Sequence, residues 1–95
     1  MSRTGKVLFS PGQIVATPAA LDALALAGAD ILDFLGRHLT GDWGEVGAED
    51  ALENDLSLVR GLRLLSAYTL SSGTKIWIIT EADRSSTCIL FPEEY

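Results

Sequence analysis

The chain has 95 residues, 47% of them apolar, and a formal net charge of −6. That length is one domain, residues 1–95, with a small core that buries roughly 60–65% of the surface exposed on unfolding, and a mean hydropathy of +0.25 is too high for a disordered chain. Thirteen acidic residues stand against seven basic ones, and the basic ones are scattered without a run, which excludes the clustered cationic surface that direct nucleic-acid binding requires.

KVLFS (6–10) has strand character, and Pro11-Gly12 suits the centre of a type II turn before a second short strand, QIVAT (13–17). The two segments form either a small hairpin or one kinked strand. The first twelve residues lack the apolar core of a signal peptide, and no apolar run in the chain reaches the ~18–20 residues that span a bilayer. A cytoplasmic protein with no membrane partner is expected.

Residues 17–28 read as a helix, with Thr17 as N-cap and Pro18 at the first helical position, where its missing N–H costs nothing. Leu21, Leu24, Ala25 and Gly28 recur on one face, and Gly28 suits a left-handed C-cap. Residues 30–41 predict a second helix, capped by Asp30, with Ile31, Phe34, Leu35 and His38 on one stripe and an Asp33–Arg37 pair at i,i+4. Gly36 weakens this helix by about 1 kcal/mol relative to Ala, and Gly41 ends it. The alternative is a single helix over 18–39.

DWGEVG (42–47) is a loop bracketed by glycines, and 48–61 predict a third helix. There Leu52, Leu56 and Val59 give an apolar edge, with Glu49, Asp50, Glu53 and Asp55 opposite, and Gly61 ends the helix. The remainder reads as a strand–turn–strand–turn–strand meander over 62–70, 74–81 and 86–91. Gly73 provides the positive φ of a tight hairpin, and Pro92 closes the last strand. With Leu70 opposite Thr74, Tyr68 faces Ile76 and Ser66 faces Ile78. Leu64, Tyr68, Ile76 and Ile78 then share one face, and Leu65, Ala67, Trp77 and Ile79 the other. Cys88 is the lone cysteine, which permits no internal disulfide and suits a reducing cytosol.

The expected fold is therefore α+β: an antiparallel sheet of three or four strands, built on the C-terminal meander, packed against two or three helices. An open sheet edge or an uncovered sheet face leaves room for a homodimer.

RHLTGDWGEV (37–46) concentrates the chemistry-bearing residues. His38 as a general base oriented by Asp42 is the catalytic candidate, set against a plain helix end in which a cationic His38 meets the dipole. Trp43 is either a lid on the core or a binding anchor. Glu81 and Asp83, at a hairpin end, are the metal candidates; the bland alternative is a polar turn with an Asp83–Arg84 pair. Asp50 and Asn54, four apart on one helix face, could hydrogen-bond to the tryptophan loop or stay solvated. No Gly-rich phosphate loop is present, and no cofactor is expected.

Arg37-His38, Gly41-Asp42-Trp43-Gly44, Asp50 with Asn54, Arg63-Leu64-Leu65-Ser66 with Tyr68, residues 73–85 (GTKIWIITEADRS) and Pro92 to Tyr95 form a linked set. Together they resemble a group of short, uncharacterised bacterial proteins carried on plasmids, phages and integrated elements. Phe91 departs from that pattern, which more often has an aliphatic residue there. The resemblance implies a mobile-element origin and, by association, an activity against host defence.

Residues 42–55 hold six acids and no Lys or Arg. The expected function is a small non-enzymatic module that binds a protein partner with a basic surface, extending to an anti-CRISPR or anti-restriction inhibitor. Asp42, Trp43, Glu45, Glu49, Asp50 and Glu53 are its candidate partner-binding residues. The alternatives are a hydrolase or nuclease using His38 and Asp42, and an antitoxin-like regulator of a basic protein.

Overall fold

The computed structural model describes residues 6–95. It is an α+β domain with the order β1 (Gln13–Ala16), α1 (Pro18–Leu26), α2 (Ile31–Leu39), α3 (Ala48–Arg60), β2 (Leu64–Thr69), β3 (Lys75–Thr80) and β4 (Ser86–Leu90), closed by a 3-10 turn at Pro92–Glu94. None of the described helices is long and apolar enough to cross a membrane.

The meander takes the expected register. Ser66 faces Ile78 and Tyr68 faces Ile76 in the antiparallel β2–β3 pair, and β3 pairs antiparallel with β4. The sheet is nevertheless mixed, with order β1-β4-β3-β2, because β1 joins β4 in parallel, Ile14 opposite Thr87 and Ala16 opposite Ile89. The wholly antiparallel sheet is thus corrected. A crossover through three helices returns the chain to the far edge, so β1 runs alongside β4 in the same direction. Residues 6–10 form no strand, so there is no N-terminal hairpin; Leu8 N–H bonds instead to the Leu39 carbonyl at 2.9 Å. Gly12 holds φ +63° with its Cα pressed against the Ser85 carbonyl, where any Cβ would collide. Glycine is needed there to bring β1 onto β4.

Thr17 caps α1 by accepting from Ala20 N–H at 3.2 Å and also donates to Glu94 Oε1 at 2.8 Å, tying the C-terminus to this helix. The chain does break between the first two helices. Gly28 is left-handed at φ +64°, with Gly28 N–H bonded to Ala25 O and Ala29 N–H to Leu24 O, a Schellman stop. The buried side of α1 is Ala20 and Leu24, with Ala23 and Ala27 packed beside them, while Leu21 is half exposed. A helix apolar nearly all round carries little information about which side turns inward; here the alanine side does, letting the backbone approach the sheet. The α2 stripe is as expected, with Leu35 and His38 buried and Ile31 and Phe34 half-buried. One core joins Ala20, Leu24, Leu35, Tyr68, Leu70, Ile76, Ile78 and Ile89. On the opposite face of the sheet, Tyr95 meets Trp77 edge-on at 5.9 Å.

The third helix departs most from expectation. Its buried residues are Asn54 and Ser57, and Leu52, Leu56 and Val59 lie in solvent at 66%, 50% and 87% exposure. The reason lies in what α3 packs against, which is the polar backbone edge of β2. Asn54 accepts from Leu65 N–H at 3.2 Å and donates to the Leu65 carbonyl at 2.8 Å.

Candidate functional site

His38 sits in the last turn of α2, where its stripe faces the sheet, and is fully buried. Its Nδ1 lies 2.6 Å from Ser66 Oγ on β2 and its Nε2 lies 2.9 Å from Thr80 Oγ1 on β3. Thr80 Oγ1 is 2.7 Å from Thr87 Oγ1 on β4, and Thr87 donates to the Pro11 carbonyl at 2.7 Å. The proton order follows from that last bond. A carbonyl only accepts, so the single Thr87 proton is committed to Pro11. Thr80 therefore donates to Thr87, and the ring must donate from Nε2–H to Thr80. Nδ1 is then the acceptor of a neutral imidazole and takes the Ser66 proton. Every side chain in this chain of hydrogen bonds is satisfied, and the chain joins α2, three strands and the segment entering β1.

Burial, with a smaller effect of the Arg84 charge, pushes the His38 pKa down to about 4. The expected cationic histidine at a helix end is therefore corrected: the ring is neutral and inward. The fold does bring a serine to His38, which the sequence spacing did not show. Both side chains are at 0% exposure, so the pair faces strands and a helix, not a substrate.

The loop after α2 is built around Asp42. Its N–H bonds to the Arg37 carbonyl, and its carboxylate takes Arg37 Nε–H at 2.7 Å and Gly44 N–H at 3.2 Å. Arg37 thus pairs with Asp42 and not with Asp33. The side-chain bond to Arg37 holds the Asp42 carboxyl below its ordinary range. The Asp42 carbonyl accepts from the Tyr68 hydroxyl at 2.6 Å, and burial pushes that phenol up to about 12. Asp42 does not reach His38; it organises the turn.

Trp43 is 5% exposed. Its ring meets His38 edge-on at 5.8 Å and stacks on Phe9 at 6.4 Å, and its Nε1–H donates to Asp55 Oδ1 at 3.1 Å. It is a lid on the core, and the expected binding surface loses its aromatic anchor. The flanking backbone closes the sheet edge: Ala67 N–H donates to Trp43 O at 3.1 Å and Glu45 N–H to Ala67 O at 2.7 Å. Gly44, at φ +73°, lies so close to the Ala67 carbonyl and the Tyr68 ring that a Cβ would overlap both.

The acids of 42–55 divide by role. Asp42 is taken by Arg37. Glu45 accepts from Thr69 Oγ1 at 2.7 Å and lies 3.9 Å from Lys75. Asp55 holds the indole, a role open to Asp50 or Asn54 as the alternative to solvation, and Asn54 clamps Leu65. Among the described residues no ion pair reaches Glu49, Asp50 or Glu53, and all three are exposed.

At the β3–β4 turn, Asp83 Oδ1 accepts from Ser85 N–H at 3.0 Å. Arg84, left-handed at φ 60°, does not pair with Asp83. Its Nη1 donates to the carbonyls of Leu62, Glu81 and Ala82 and its Nη2 to that of Ser57, pinning the end of α3 to the turn. Sequence reasoning missed this role; a non-glycine residue in a tight turn carries no signal for it. No group of three or more His, Cys, Asp or Glu that could hold a metal occurs among the described residues, so Glu81 and Asp83 gain no third ligand.

Compared with family models, curated proteins and solved structures, the chain matches none.

Proposed function

We propose that the chain is a small acidic protein-binding module whose docking face is the outward side of α3. The observation that carries this reading is the inversion of that helix. It turns Asn54 and Ser57 inward and sets Leu52, Leu56 and Val59 in solvent along one stripe. Contiguous exposed apolar groups of this kind mark interaction surfaces. Glu49 and Glu53 run beside the stripe, one helical turn apart, with Asp50 in the first turn. A partner that covers the leucines and offers Lys or Arg to these acids satisfies both features.

The resemblance to mobile-element proteins supplies the partner class. A CRISPR or restriction nuclease, or the toxin of an antitoxin-like pair, carries a basic surface because it handles phosphates. The catalytic reading draws no support from His38, which is closed to solvent, neutral and bonded on both nitrogens.

Affinity capture from bacterial cytosol with wild-type and Leu52→Asp/Glu53→Lys baits tests the proposal. The expected result is one basic protein held by the wild type, released as salt rises and not held by the variant. A partner bound equally by both baits, or indifferent to salt, removes α3 from this role.

A further inference from the structure

We infer that in the free protein the exposed stripe of α3 is covered by the same stripe of a second copy, the two helices running antiparallel. This goes beyond the partner reading: it concerns the chain alone, and no partner enters its test.

Charge order along the helix selects the occupant. The N-terminal half of α3 is acidic, with Glu49, Asp50 and Glu53, and its last turn carries Arg60, with Arg63 shortly beyond. A parallel mate would carry its own Glu53–Arg60 row to the opposite side of the seam, away from the first copy's row. An antiparallel mate sets each Glu53 beside the other copy's Arg60 and opposes the helix dipoles. The apolar spacing fits the same arrangement. Leu52, Leu56 and Val59 occupy one seam, and Glu53 and Arg60 lie seven residues apart in the row beside it. When a two-fold axis passes between Leu56 and Val59, each Leu56 packs on the other copy's Val59. Each Glu53 then lies two residues, about 3 Å along the axis, from the level of the other copy's Arg60, within reach of the two long side chains.

The surface beside the seam is concave. Glu53, Leu56, Ser57, Arg60 and Leu62 line a groove of about 180 Å³, and Leu62 is itself half exposed. In this register Leu52 of the second copy lies one residue beyond the level of Leu62, beside the groove. The sheet edge at β2 offers no competing route, since Asn54 and the Trp43–Glu45 backbone already occupy it. A contact between single helices of this length belongs to the small, transient class that buries under ~1,200 Å² in total, so association is sought from micromolar to millimolar protein.

Sedimentation equilibrium of the full chain tests the inference. The wild type is expected to approach twice the 10.2 kDa of one chain. Leu56→Glu is expected to weaken association by on the order of 100-fold, with an unchanged circular dichroism spectrum because the side chain is at the surface. Glu53→Arg and Arg60→Glu, each alone, place like charges across the seam and are expected to be monomeric. Mixed one to one, they restore both cross-seam pairs and are expected to dimerise. A wild type monomeric at millimolar concentration overturns the inference. So does a dimer that survives both Leu56→Glu and Val59→Glu, which would point to the edge at β1. A mixture that stays monomeric where the wild type dimerises overturns the antiparallel arrangement.

Discussion

The Nε2–H of His38 donates to Thr80 Oγ1 at 2.9 Å, and that bond decides the state of the whole polar centre. Because Thr80 passes its own proton to Thr87 and Thr87 to Pro11, the ring cannot reverse its direction without leaving a buried hydroxyl unpaired. A small core has accepted five polar groups here and satisfied each of them. The return is connectivity: α2, β2, β3, β4 and the approach to β1 are held by one directional chain.

The His38 tautomer is the first expected outcome. At neutral pH the ring nitrogens should show Nε2 protonated and Nδ1 bare in a nitrogen-15 NMR spectrum. Thr80→Val strands Nε2–H without an acceptor, and Ser66→Ala strands Nδ1 without a donor. Each is expected to cost about 1–3 kcal/mol in urea unfolding. A ring with the opposite tautomer would break the assigned order.

Acid should act through the same ring. The folded pKa lies at about 4, below the ordinary 6.5, so above pH 6.5 the ring is neutral in both states and pH has no effect through it. Between those values the unfolded chain takes a proton that the folded one refuses, so stability falls as pH falls. The loss levels off below about pH 4 at roughly 3 kcal/mol. Asp42 acts in the same direction but in a lower window. Its lowered pKa adds stability above the ordinary carboxylate value of 3.8, lost only as pH drops through and below that value. The window from pH 6.5 to 5 therefore belongs to His38. Urea unfolding at several pH values should show the slope in the wild type and a flat line there for His38→Asn.

The meander could be read directly because its signals are local. Period-2 alternation, Gly73 at the turn and Pro92 at the end fix the Ser66–Ile78 register within thirty residues. The pairing of Gln13–Ala16 with Ser86–Ile89 has no such signal. It depends on a crossover of seventy residues and on a close approach at Gly12 that only the folded chain displays. For α3 the length and the Gly61 stop were legible and the facing was not. Apolar spacing points Leu52, Leu56 and Val59 inward, but a strand edge is a row of N–H and C=O groups, and what pairs with it is an amide, Asn54. The loop at 42–47 was legible from the glycines that bracket it. An inward Trp43 was one of two readings open there, and what decides it, the hold of Asp55 twelve positions on, was not legible.

Gly44 gives a third expected outcome. Its φ of +73° and its approach to Ala67 and Tyr68 leave no room for a methyl group. Gly44→Ala should cost about 2 kcal/mol or more and lift the loop from β2, which a rise in Trp43 fluorescence quenching by acrylamide would report. The exposed Gly47, with nothing near its Cα, is the control: Gly47→Ala should leave the quenching unchanged.

Asn54 carries the fourth. Its amide satisfies both Leu65 backbone groups, so Asn54→Ala leaves a donor and an acceptor of the β2 edge unpaired, at an expected cost of about 1–3 kcal/mol. Asn54→Asp keeps the acceptor for Leu65 N–H but sets a carboxylate against the Leu65 carbonyl, two negative ends with no proton between them. It should lose at least as much as Asn54→Ala at pH 7, and the deficit should shrink as acid restores a proton to that side chain. Hydrogen exchange at Leu65 N–H reads the clamp itself: protection should collapse in both variants while Ile78, at the centre of the sheet, stays protected. Equal loss at both amides would mean that Asn54 supports the whole fold and not the edge it bonds to.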